Sequence, residues 1–194
     1  MEQAALETKD LILRPFNEGD LDDILAIYSD PISNPYLPWD VMQTKEQAEE
    51  KLKSFTRLVD GKPAVRVYAI CEKESNHPIG WIEMELERGY EVGYGLRHEY
   101  WHHGYASQAL EAVIEEAKRL DLPYLYATHD RENRFSGAVM KKAGMSYRYS
   151  YEEDWKPKNK LVTFRLYQID LKPDASTYDH FWTVSDVHYV EEEL

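Results

Sequence analysis

The sequence predicts an α/β (α+β) fold, a mixed and mostly antiparallel sheet of about seven strands with one parallel crossover, flanked by about four helices. Three observations lead there. Short apolar or alternating runs broken by turn residues occupy 11–16, 65–71 and 79–86, the pattern of hairpin-linked strands. Residues 90–128 read as strand, amphipathic helix, strand, and a helix of that length between two strands lets them run parallel. Two more strand-like runs, 145–151 and 161–171, follow a short helix and complete the sheet.

Taken in order, Leu11, Leu13 and Phe16 alternate with polar residues ahead of the turn Asn17-Glu18-Gly19, which marks a first strand. Asp20 is expected to cap a helix running through Tyr28 and stopped by Asp30-Pro31. Segment 31–43 carries Pro31, Pro35 and Pro38 with Tyr36 and Trp39, a rigid aromatic loop suited to form a substrate wall. Thr44 and Gln47 have capping-box spacing, and Ala48, Leu52, Phe55 and Val59 continue as a helical stripe. Val65–Cys71 and Ile79–Leu86 form a hairpin through Glu74-Ser75-Asn76-His77-Pro78. A further strand runs from Tyr90 to about Leu96. Ala106, Leu110, Val113, Ala117 and Leu120 share one helical face, and Asp121 and Pro123 end that helix before the strand Tyr124–Thr128. Asn133 opens a short helix that closes at Gly144, with Lys141 and Lys142 in its last turn.

At 194 residues, 43% hydrophobic and 30% charged, the chain is long enough for one well-buried core and has no apolar run of membrane-spanning length. A core domain is expected over 1–171. The extension 172–194 begins at Lys172-Pro173 and holds Tyr178, Phe181, Trp182, Val184, Val187, Tyr189 and Val190. So much apolar surface is expected to dock on its own domain or on a partner subunit, the second arrangement giving a homodimer. The first residues lack signal-peptide order, and Cys71 is the single cysteine, so a cytoplasmic, reducing setting is the expectation. Thirty-six acidic against 23 basic residues give a net charge of −13. That charge disfavours nucleic acid as a partner and suits a cationic amine, although it also serves plain solubility. His102, His103 and His129 have no carboxylate at ligand spacing on a helix, so no metal is expected.

The chemistry concentrates in 91–107. A strand passing through a glycine-bearing turn into a helix leaves backbone N–H groups unpaired and pointing one way, and the helix dipole adds attraction for phosphate. Gly104 permits close backbone approach and Ala106 keeps the first turn slim. Trp101-His102-His103-Gly104-Tyr105-Ala106 resembles the Gln/Arg-x-x-Gly-x-Gly/Ala pyrophosphate loop of the GNAT N-acetyltransferase superfamily, with tryptophan first as in the branch of ribosomal-protein N-terminal acetyltransferases (RimJ/RimL type). Glu91-Val92-Gly93-Tyr94 resembles that family's Glu-Ile-Gly-Tyr strand. Asn133-x-x-Ser136 followed by Lys142-Ala143-Gly144-Met145 resembles its Asn-x-x-Ser/Ala…Lys-x-Gly-Phe segment. Order and separation match over roughly 8–171.

The resemblance implies transfer of an acetyl group from acetyl-CoA, as co-substrate, to a primary amine within a ternary complex. It implies that backbone from Tyr94 through Gly95 and Leu96 to Arg97 pairs with the pantetheine arm. It implies that His102, His103, Gly104, Tyr105, Ala106 and Ser107 hold the pyrophosphate, and that Asn133 and Ser136 lie near the thioester. Many relatives place a proton-donating tyrosine where this chain has Met140, so Ser136 or water takes that part. Glu91 is the first candidate for a base and Glu83 the second. Each has a plain rival: Asn133 a helix cap, Ser136 a polar first-turn residue, the histidines loop surface, the glutamates solvated strand carboxylates. A catalytically lapsed acyl-CoA-binding or interaction module is the alternative function. The acyl group need not be acetyl, and the acceptor stays open between a protein N-terminus and a small amine.

Overall fold

The computed structural model describes residues 3–55, 58–59, 62–87, 89–156 and 159–194. The chain starts with two short antiparallel strands, β1 (Leu6–Glu7) and β2 (Leu11–Arg14), the second burying Leu11 and Leu13 as their alternation requires. Asp20 takes the N-cap position ahead of Leu21, as expected, but makes no side-chain cap bond to that helix, and the side-chain cap comes earlier, from Asn17. Its side chain accepts from the Gly19 N–H at the head of a 3-10 turn, Glu18–Asp20. Asp20 instead grips the Arg14 guanidinium through both oxygens at 2.8 and 2.9 Å and so ties α1 (Leu21–Ser29) to β2. The capping box of α2 (Lys45–Ser54) forms as expected, with Gln47 N–H on Thr44 Oγ1 at 3.3 Å and Thr44 N–H on Gln47 Oε1 at 3.0 Å.

That helix ends a turn before its sequence stripe does. Phe55 is its cap and packs on Phe16, and Val59 lies in β3 (Leu58–Val59), paired with β4 (Lys62–Pro63). Only Ala48 of α2 is fully buried, and so thin an apolar face does not hold another turn together. β5 (Val65–Glu72) and β6 (Pro78–Glu85) form the expected hairpin, and β7 (Val92–Leu96) pairs antiparallel with β6. The first sheet therefore runs β1-β2-β5-β6-β7.

After β7, α3 (Tyr105–Arg119) buries Leu110, Val113 and Ala117 on the sheet, and β8 (Tyr124–Asp130) follows. α4 (Arg134–Lys142), β9 (Ser146–Trp155) and β10 (Lys160–Asp170) complete the part of the fold read from the sequence. The tail adds a short helix, α5 (His180–Val184), and β11 (His188–Tyr189) on the edge of β9. The second sheet runs β11-β9-β10-β8. Tyr178 stacks on Tyr126 at 4.0 Å and Phe181 on Tyr151 at 4.4 Å, so the aromatic groups of the extension cover the second sheet of their own chain. No helix among the described residues is long and apolar enough to cross a membrane.

The junction between the sheets positions everything that follows. Among the described residues they pair through one parallel bridge, Glu91 with Tyr126, supported by the Tyr126 N–H on Tyr90 O at 3.2 Å. Beyond it the expected parallel neighbours β7 and β8 part company, and β7 is the edge strand of its sheet. Alternation along β7 then divides the two faces: Val92, Tyr94 and Leu96 join the core under α3 and α4, whereas Gly93 and Gly95 lie beneath Trp81 on the face covered by α1 and α2.

Candidate active site

A cleft of about 290 Å³ opens where β7 leaves β8. Tyr94, Gly95 and Leu96 form one wall, the segment Gly104 to Ser107 another, and Asn133 and Ser136 of α4 a third. The 31–43 loop closes it with Ser33, Tyr36 and Leu37, the place the sequence suggested for a substrate wall. Asp30 fixes that loop. Its buried carboxylate accepts from the backbone N–H groups of Ile32 and His98, both at 2.9 Å, and lies 3.1 Å from His98 Nδ1.

The turn expected from the sequence to receive a phosphate has the backbone that such a role requires. Gly104 is at φ +79° and stands at the N-terminus of α3, with His102 also left-handed at φ +65°. The N–H groups of Tyr105, Ala106 and Ser107 begin the helix and have no carbonyl one turn behind them, which makes the end an anion seat. Trp101 explains its own departure from Gln/Arg: its indole N–H donates to Leu96 O at 3.0 Å, pinning the turn to the end of β7. Lys142 supplies a cation that sequence reading placed only as a helix-end charge. Its Nζ lies 3.7 Å from where a Cβ on Gly104 would stand, and among the described residues it has no ion-pair partner. Phe135, largely exposed, meets His102 edge-on at 5.2 Å across the cleft mouth.

Not every expected residue gathers here. His102 lines the cleft, but His103 turns away to stack on Tyr105 at 5.4 Å. Arg97 pairs with Glu99 and lies over the Tyr100 ring, so its side chain is outside the cleft. Asn133 is both cap and wall, since its Oδ1 accepts the Ser136 N–H at 3.3 Å while its amide nitrogen remains a donor. Met140, at the position of the missing tyrosine, is core.

Ser136 has a partner that no sequence signal announced. The Tyr94 hydroxyl donates to Ser136 O at 2.9 Å and sits 3.1 Å from Ser136 Oγ. Burial raises the Tyr94 pKa, so the phenol keeps its proton and acts as a fixed donor beside the serine. Glu91 belongs to the other face of β7, outside the cleft lining, where its Oε2 accepts from Tyr126 OH at 3.3 Å. Burial, with Glu83, Glu85 and Glu153 nearby as like charges, pushes its carboxyl up to about 7. Glu83, the second candidate, stands opposite Gly93 on that same face.

The cleft thus combines an open strand edge leading to a helix terminus with a serine and a tyrosine between them. A family model for the acetyltransferase (GNAT) domain matches residues 10–146, and the chain belongs to that family. Two uncharacterized N-acetyltransferases of Bacillus subtilis are similar over 144 residues: YnaD at 31% identity and YoaA at 28%, each covering 72% of this chain and 81% of the relative. Among solved structures, the ribosomal-protein alpha-N-acetyltransferase RimL in complex with coenzyme A is similar in fold, with TM-score 0.75 at 15% identity over 86% of this chain and 98% of that one.

Proposed function

We propose that this acetyltransferase moves an acetyl group from acetyl-CoA to a primary amine, by direct attack within a ternary complex, and that its acceptor is an α-amine of the protein N-terminal kind. The observation that carries the reading is the split between β7 and β8 ending at the Gly104 turn. The open edge of β7 offers a partner for an extended pantetheine arm, as an added strand would have, and the turn with Lys142 offers the charge complement of a pyrophosphate. The likeness in fold to RimL, an alpha-N-protein acetyltransferase in complex with coenzyme A, supports both donor and acceptor class.

In this mechanism the amine nitrogen attacks the thioester carbonyl, whose oxygen takes a hydrogen bond from a β7 backbone N–H near Tyr94. The new C–N bond forms as the C–S bond breaks. The proton leaving nitrogen passes through water to Glu91, which lies outside the cleft lining, and the electron pair stays on sulfur. Ser136 offers its hydroxyl as a hydrogen-bond donor to the developing thiolate, which takes its proton from water, while the Tyr94 OH, donating to Ser136 O, holds the serine in place. An α-amine with pKa near 8 is about one-tenth neutral at pH 7, so the demand on the base is modest.

Calorimetry with acetyl-CoA, followed by thiol release against a panel of peptides and small amines, tests the reading. Binding with release is expected; binding without release from any amine would indicate the lapsed module instead. Ser136→Ala is expected to lower kcat about tenfold, the loss of one hydrogen bond to the leaving group, with cofactor affinity nearly kept. An unchanged kcat would remove the serine from the mechanism.

A further inference from the structure

The C-terminal extension reaches the sheet junction through Tyr178. Its ring lies flat on that of Tyr126, with centroids 4.0 Å apart and planes 10° from parallel. The edge of the ring meets Gly89, where a Cβ would stand 2.5 Å from Tyr178 Cε2, so the turn before Glu91 closes on the ring only because that residue is glycine, at φ +98°. The backbone of Tyr178 is fixed as well. Its N–H donates to Oε1 of the fully buried Gln168 and its carbonyl accepts from Tyr149 OH, both at 2.9 Å. Tyr126 in turn donates its hydroxyl to Glu91 Oε2 at 3.3 Å. A chain of contacts therefore runs from Tyr178, which lies beyond the 10–146 family match, to the carboxylate.

We infer that Tyr178 is a positioning residue for acetyl transfer: its ring holds the Tyr126 ring so that the Tyr126 hydroxyl stays on Glu91 Oε2, and Oε1 is left to take the proton from water. The bridge to Glu91 fixes the backbone of Tyr126, but the side chain turns about χ1 and χ2, and the hydroxyl at the far end of the ring moves most. A flat aromatic partner removes that freedom. The surroundings of Glu91 make the hydroxyl matter. Burial disfavours the carboxylate, Glu83 and Glu85 of β6 and Glu153 of β9 face it as like charges, and Tyr151 of β9 also lies near. The Tyr126 hydrogen bond acts against burial and those charges and favours the ionised form that a base must reach. The inference rests on Glu91 as the base in the acetyltransferase reading above, and it adds the extension to the groups that orient that base.

The test follows kcat and the pH profile of kcat/KM in the full chain. Tyr178→Leu removes the flat stack and is expected to lower kcat about tenfold while the Kd for acetyl-CoA in calorimetry stays at the wild-type value. Its acidic limb is expected to move to higher pH, because the carboxylate loses the hydrogen bond that favours it. Tyr178→Phe keeps the ring and is expected to restore the wild-type kcat and limb. Tyr126→Phe removes only the hydroxyl and is expected to reproduce the loss and the shift of the leucine variant. Adding Tyr178→Leu to Tyr126→Phe is expected to lower kcat no further, because both changes act on one hydrogen bond. Tyr178→Met, which fills the space without a flat ring, takes the place of the leucine variant if that variant does not fold. An unmoved limb in the variant without the ring overturns the inference, as does a double variant that loses the full product of the two single effects. Wild-type turnover in Glu91→Gln would show that the base assignment itself fails. Lost turnover in Glu91→Gln beside wild-type kcat and limb in Tyr178→Leu would show that only the positioning role fails.

Discussion

Gly104→Glu is expected to weaken acetyl-CoA binding by about a hundredfold or more in calorimetry, which is about 2.8 kcal/mol. Three effects point the same way. The residue is at φ +79°, where an L side chain costs about 1–2 kcal/mol. The new carboxylate would stand at the positive end of α3, in the place proposed for the phosphates, and repel them. It would also reach Lys142 Nζ, 3.7 Å from its Cβ, and neutralise the cation that faces the loop. Gly104→Ala separates these effects, because an alanine Cβ meets nothing closer than that ammonium and adds only conformational strain. A loss of about tenfold or less is expected for it. Wild-type affinity in the glutamate variant would place the pyrophosphate elsewhere.

The sequence made the scaffold of this cleft legible because its signals are local. A capping box, a glycine at a helix start and a three-to-four-residue apolar spacing act within one turn of chain, so Thr44, Gly104 and the Leu110–Val113–Ala117 stripe appear where their types require. The α2 end misled because Phe55 and Val59 fit the stripe, and only their contacts with Phe16 and β4 decide against it. Pairings across the site were out of reach for the same reason. Tyr94 and Ser136 are 42 positions apart, and the register that brings the hydroxyl to the serine is set by how β7 and α4 pack. Trp81 is a partial exception: Gly93 and Gly95, two apart in a strand, announce that something broad approaches that face, without saying what. Proposing Glu91 as a base needed only its motif, but its raised pKa comes from burial and from three other carboxylates scattered along the chain, against the lowering hydrogen bond from Tyr126.

Glu91→Gln is the second large effect, expected to lower kcat by about a hundredfold with cofactor affinity retained. The carboxyl titrates near 7 instead of its usual 4.5, so the wild-type kcat/KM is expected to show an acidic limb near pH 7 that the glutamine variant lacks. The same shift acts on stability with a definite sign. A carboxyl whose pKa is raised by folding holds its proton more tightly in the native protein. Its contribution is therefore fully present below the unfolded pKa and is lost as pH rises through about 7. Glutamine never ionises and escapes that loss. Its Tm advantage over wild type is expected to be small at pH 5 and to grow between pH 5 and pH 8, as measured by thermal melts. The two readouts together separate the roles. A variant that gains stability at pH 8 and keeps wild-type turnover marks Glu91 as a buried bystander beneath the sheet junction. A variant that gains stability and loses turnover marks it as a carboxylate kept ionisable at a cost in stability, which is what a base beside the acceptor face of β7 requires.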